Sequence, residues 1–121
     1  MSTFDHAIQT LLWQAPEDDA GAAETISDTL KAKLEIEWAA FEAYCDSINF
    51  EPEAARASSY DPSEGDLWAY AAHDWILTRN GHGRGFWDGD WHEPAATLLT
   101  AFCKRQGQID TYQEGNILCL F

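Results

Sequence analysis

The chain has 121 residues, 45% of them hydrophobic, including six Trp, six Phe and four Tyr. That is enough apolar material for one domain spanning residues 1–121 with its own core, and it excludes a chain disordered throughout. Twenty-one acids against seven bases leave a formal net charge of -14, which argues against direct binding to nucleic acid or to an anionic membrane.

The charge is uneven. Residues 1–66 hold fifteen acids and three bases (-12), whereas residues 67–121 hold six acids and four bases (-2). A field concentrated in one half steers a basic partner. Cys45, Cys103 and Cys119 are odd in number and widely spaced, without a CxxC pair. This is the pattern of reduced thiols buried as small apolar residues in a cytosolic protein. The N-terminus has no basic region followed by an apolar run, and no stretch approaches the roughly 20 apolar residues of a membrane span. The expectation is a soluble, cytoplasmic protein.

Residues 4–14 read as a short amphipathic helix, with Phe4, Ile8, Leu11 and Leu12 on one side and Ser2 or Thr3 as N-cap. Pro16-Glu17-Asp18-Asp19-Ala20-Gly21 ends it as a surface linker. The longest helix is predicted from Ala23 to Ile48, because Ile26, Leu30, Leu34, Trp38, Phe41, Cys45 and Ile48 step by three or four without an intervening Pro or Gly. On another side lie Glu24, Asp28, Glu35, Glu42 and Asp46. Steps of four place carboxylates about 6 Å apart along the axis, similar to the spacing of phosphates on a nucleic-acid strand. A solvated polar face is the plainer reading of the same row.

From Asn49 to Gly65 the periodicity breaks, with one turn of helix expected around Pro52–Ala57. Glu51, Glu53, Asp61, Glu64 and Asp66 extend the acidity. A second core helix is expected from about Ser63 to Asn80, with Leu67, Trp68, Ala71, Ala72, Trp75 and Ile76 at helical spacing. A short strand over residues 75–78 is the alternative, since β-branched and aromatic residues favour it.

Residues 78–91 contain four of the eight glycines, with Trp87, Trp91, Arg79, Arg84, Asp88, Asp90 and His82. Glycines this dense mark backbone that turns tightly. A helix is then expected from Trp91 to Arg105, with Asp90 as N-cap, Glu93 at N3, and a buried face of Trp91, Ala95, Leu98, Leu99 and Phe102. The tail, residues 108–121, reads as a β-hairpin turning at Glu114-Gly115-Asn116. Its last strand is apolar at five consecutive positions, which calls for cover on both faces, inside the fold or by another chain. The fold class expected is α+β: a helical N-terminal half with a long central helix, a glycine-rich loop, and a C-terminal helix plus hairpin.

Three kinds of chemistry were open to these residues. His73, Asp74, His82, Asp88, Asp90 and His92 lie within twenty positions and have metal-ligating side chains, but no pair has a spacing such as HExxH. Turn-forming and capping account for the aspartates, with Asp74 expected on the loop backbone or on Arg79. Asn80-Gly81-His82-Gly83-Arg84-Gly85 lacks the GxxxxGKS pattern of a phosphate cradle. No Cys lies near a His, and no GxSxG elbow is present for nucleophilic catalysis. No metal, cofactor or catalytic residue is therefore assigned; a small metal-dependent enzyme using the His/Asp cluster 73–92 and a structural or assembly protein stand as alternatives.

The stretch from Asp74 to Asp88 resembles a "D-[FW]-x-LTRNGHG-x-GFWD" block of small proteins from bacteriophages, prophages and plasmids. The resemblance covers residues 66–121 and implies an accessory protein of a mobile element, with a helix and a short β segment after the block. Small acidic phage proteins of this kind include anti-CRISPR and antirestriction inhibitors that mimic nucleic-acid charge and occupy a basic surface of a host defence complex. On that reading the contact residues are Glu24, Asp28, Glu35, Glu42 and Asp46, with Glu51 and Glu53 secondary. The glycine-rich loop reads chiefly as a structural signature joining two helices; if it touches a partner, Arg79, His82, Arg84 and Trp87 are the residues to do so.

Overall fold

A computed structural model describes residues 3–15, 21, 23–55, 67–81, 85–87 and 91–121. Among them are helices α1 (Thr3–Gln14), α2 (Asp28–Ser47), α3 (Pro52–Ala55), α4 (Leu67–Asn80) and α5 (Ala95–Gln106), with strands β1 (Thr25–Ile26), β2 (Thr111–Glu114) and β3 (Ile117–Leu120). The architecture is α+β, with helices in the N-terminal half and a C-terminal hairpin.

Helix α2 starts five residues later than its apolar stripe predicts. Ser27 caps it, its side-chain oxygen accepting from the Leu30 N–H at 3.2 Å. The residues ahead of Ser27 have a competing partner: Thr25 and Ile26 pair in parallel with Ile117 and Leu118. Ile26 keeps its place against the core but from a strand. From Leu30 onward the stripe is as predicted, with Leu30, Leu34, Trp38, Phe41 and Cys45 buried.

Helix α4 runs through residues 74–78, so the strand alternative falls away. Nearly all its length is buried, because α1 packs on it from one side and α5 from another. The predicted start near Ser63, with Asp66 in its first turn, lies outside the described residues.

Helix α5 begins at Ala95 rather than Trp91. Residues 91–94 are held apart from the helix: the His92 N–H donates to Ala55 O at 2.6 Å, and the Trp91 indole N–H donates to Asp74 Oδ2 at 2.6 Å. Glu93 therefore caps from outside the helix, its carboxylate accepting from the Thr97 N–H at 2.7 Å and from the Thr97 hydroxyl. Of the predicted face Leu99 is fully buried and Ala95 and Phe102 pack half-buried against the core, joined by Ala96 and Cys103, while Leu98 is 37% exposed. At the other end Gly107 (φ 85°) donates its N–H to Cys103 O, a conformation glycine adopts without steric cost.

The sheet has the order β1-β3-β2. β3 is its central strand, so the backbone of the apolar tail is paired on both edges. Its side chains are covered on one face only: Leu118 is buried, whereas Ile117 is exposed and Phe121 beyond it is 86% exposed. Within this chain the fold supplies cover for one face, the other form of cover expected being a second chain.

The core joins these elements through aromatic rings. Phe41 stacks on Phe86 and tilts against Trp75 and Phe102, and Trp38 meets Trp75 edge-on at 5.1 Å. Phe50 and Phe86 both pack against Trp91.

Candidate functional site

The glycine-rich stretch divides into a docked part and an undescribed part. Gly85 lies so close to α4 that a Cβ there would stand 2.2 Å from Thr78 Oγ1 and 3.1 Å from Thr78 Cα. The next residue uses this approach: the Phe86 N–H donates to Thr78 Oγ1 at 3.0 Å, and the Phe86 ring is fully buried. Thr78, Gly85 and Phe86 thus form a latch that fastens the loop onto the helix before it. His82 and Arg84, two of the expected contact residues, lie outside the described residues, as do Asp88 and Asp90.

Arg79 is not at the surface. Its side chain is wholly shielded, with Nη2 2.6 Å from Glu37 Oε1 and Nε donating to Gly107 O at 2.7 Å. The contact with Glu37 is an ion pair off the hydrogen-bond direction. Gln106 completes the group, accepting from the Trp75 indole N–H at 2.7 Å and donating to Glu37 O at 2.8 Å. Asn80 Oδ1 accepts from the Ile109 N–H at 2.9 Å. The expectation of a partner contact at Arg79 is corrected: it joins α2, α4 and the end of α5. Trp87 is the described member of the loop set that reaches solvent, at 54% exposure. It walls a groove of about 490 Å³ with Trp91, Ala96, Thr100 and Lys104.

The described members of the His/Asp series occupy separate surroundings. His73 Nδ1 lies 3.0 Å from Thr10 Oγ1, Asp74 is buried against Trp91, and His92 is tied by its backbone to Ala55. Among the described residues no three His, Cys, Asp or Glu side chains converge on a common point.

The acidic row keeps most of its predicted geometry. Asp28, Glu35, Glu42 and Asp46 are all exposed on α2. At 3.6 residues per turn they fall within about 40° of one another around the axis and span about 27 Å along it. Lys31 flanks the row between Asp28 and Glu35, while Lys33 turns to Glu37 at 2.5 Å. Burial and the neighbouring Asp46 carboxylate hold the Glu42 carboxyl above the usual range. Glu24 is exposed but off the helix: it precedes β1, and its carboxylate accepts from Asn116 Nδ2 at 3.2 Å. Its place in the helical row is corrected accordingly. Glu51 is exposed beyond the C-terminal end of α2, and the side chain of Glu53 lies outside the described residues.

Two thiols are sealed in the core. Burial, with Asp46 and Glu42 nearby, pushes the Cys45 thiol up to about 12, and burial also raises Cys103. Cys119 is only partly covered. No helix among the described residues is long and apolar enough to cross a membrane.

Compared with protein-family profiles, with curated proteins and with solved structures, the chain matches none of them. The residues that sequence reasoning passed over are Glu37 and Gln106. Their roles depend on long-range neighbours, and only the Lys33–Glu37 spacing of four hinted that Glu37 is engaged.

Proposed function

We propose that the protein is a non-catalytic acidic inhibitor, of the anti-CRISPR or antirestriction type, that covers a basic nucleic-acid-binding surface of a bacterial complex. The observation that carries this reading is the line of four exposed carboxylates on α2, Asp28, Glu35, Glu42 and Asp46. The step from Glu42 to Asp46, about 6 Å along the axis, is similar to phosphate spacing, and the two steps of about 10.5 Å continue the same line of charge. The Glu42 carboxyl, raised first by partial burial and then by the Asp46 carboxylate four residues on, adds to this, because both costs of its charge are offset when a Lys or Arg approaches. The net charge of -14 favours fast, salt-sensitive association with a basic partner and repels nucleic acid itself.

The test is binding to purified CRISPR surveillance and restriction complexes at low and high salt. The expected result is affinity that falls with salt and is lost in Glu35→Lys/Glu42→Lys but kept in His82→Ala. An absence of affinity for any such complex at low salt, where the attraction is strongest, rejects the reading.

A further inference from the structure

A groove of about 260 Å³ lies between the end of α2 and the start of α5. Ile48, Phe50, Ala55 and Leu98 give it an apolar floor, and Glu51 and Glu93 stand on its rim. Among the described residues no lysine or arginine lines it. The volume is below the usual range for whole small-molecule ligands and suits a single side chain. Two of its lining residues are joined by the His92 N–H donating to Ala55 O, so the lining is held by backbone as well as by packing. The partly exposed edge of Leu98 faces this space.

We infer that the groove takes one arginine side chain of the basic partner, an inference that rests on the reading of the protein as a binder of basic surfaces. An arginine has the matching build: an aliphatic stem that covers apolar surface and a weakly hydrated planar head that bonds carboxylates. The stem lies along Ile48, Ala55 and Leu98, and the guanidinium reaches the rim. There Glu51 is exposed and able to accept. The Glu93 carboxylate, already receiving Thr97, is held at the rim by that contact. Its negative charge remains, and its remaining lone pairs can accept from the guanidinium. A guest held between two carboxylates on an apolar floor is selected for charge and for length together. The groove also lies beyond Asp46, so it extends the acidic row with a pocket that a phosphate strand has no means of filling.

The test needs no partner protein. N-acetyl-arginine methylamide is titrated into the full chain and followed by amide NMR shifts, with the isosteric, uncharged N-acetyl-citrulline methylamide as control. The expected result is saturable shifts confined to the amides of Asn49, Glu51, His92 and Leu98, with the citrulline compound inert. Glu51→Gln is expected to weaken binding about tenfold without altering the rest of the spectrum. Equal shifts from both compounds, shifts spread along α2 instead, or unchanged affinity in Glu51→Gln would each overturn the inference. None of these outcomes touches the α2 charge-reversal test, so loss of the groove and loss of the inhibitor reading remain separate results.

Discussion

Arg79 and Glu37 form an ion pair in which the guanidinium side is wholly shielded and the carboxylate side keeps a fifth of its surface. The asymmetry fixes which partner matters more to stability. Removing Arg79 leaves Glu37 with Lys33 and solvent, but also strips the carbonyls of Gln106 and Gly107 of their donor. Arg79→Ala is expected to lower the unfolding free energy by about 3 kcal/mol or more, and Glu37→Gln by less. Urea denaturation of both variants measures this; equal midpoints for Arg79→Ala and the parent chain would show that the buried pair does not stabilise the fold.

Gly85→Ala is expected to undock the loop. The added methyl meets Thr78 Oγ1 and the Thr78 backbone, and φ of 153° strains any L residue there. The cost should exceed that of Thr78→Val, which loses one hydrogen bond of about 1 kcal/mol. Near-UV circular dichroism reports the environment of Phe86 and the neighbouring Trp91. A spectrum unchanged by Gly85→Ala would show that the loop does not depend on this close approach.

Glu42→Gln is expected to stabilise the protein slightly and, on the function proposed above, to weaken its attraction for a basic partner. The folded carboxyl ionises at higher pH than the unfolded one, so its contribution is fully present below the unfolded value of 4.5 and is lost as pH rises above it. At neutral pH the substitution removes a partly desolvated charge and, with it, the like-charge pair with Asp46 four residues on, the pair alone a gain of about 0.3 kcal/mol that salt screens. Calorimetry at pH 7 should show a higher Tm for the variant, with the difference vanishing below pH 4.5. A gain that persists at low pH would point to packing instead of charge.

Native protein is expected to react with thiol reagents at Cys119 first. Cys45 and Cys103 are buried, and burial disfavours their thiolates. Mass spectrometry after brief alkylation at pH 8 should find one modified cysteine, and three after denaturation. The raised Cys45 thiol also predicts stability that falls as pH climbs from about 9 to about 12, as the unfolded chain loses that proton first.

Much of this organisation is legible in the residues themselves. The stripe from Leu30 to Cys45 announces its helix because every core contact repeats at the helical period. Asp28, Glu35, Glu42 and Asp46 are legible for the same reason. What escapes is whatever depends on a distant partner. Glu24 to Ile26 continue the helical pattern and are drawn off it by Asn116 and β3. Trp91 has a helix-compatible place in sequence and is held outside α5 by Asp74. Arg79 looks like a surface loop residue until Glu37, forty-two positions earlier, is brought beside it. Local spacing contains none of these.

The pairing of β1 with β3 has a consequence in time. Glu24 and Asn116, at the mouth of that pairing, stand 92 residues apart. On the ribosome α2 is complete long before β3 has been made, so the start of the acidic helix must wait, unpaired, for nearly the whole of the remaining chain. The Ser27 cap, local and available at once, is what can mark the beginning of α2 in the meantime.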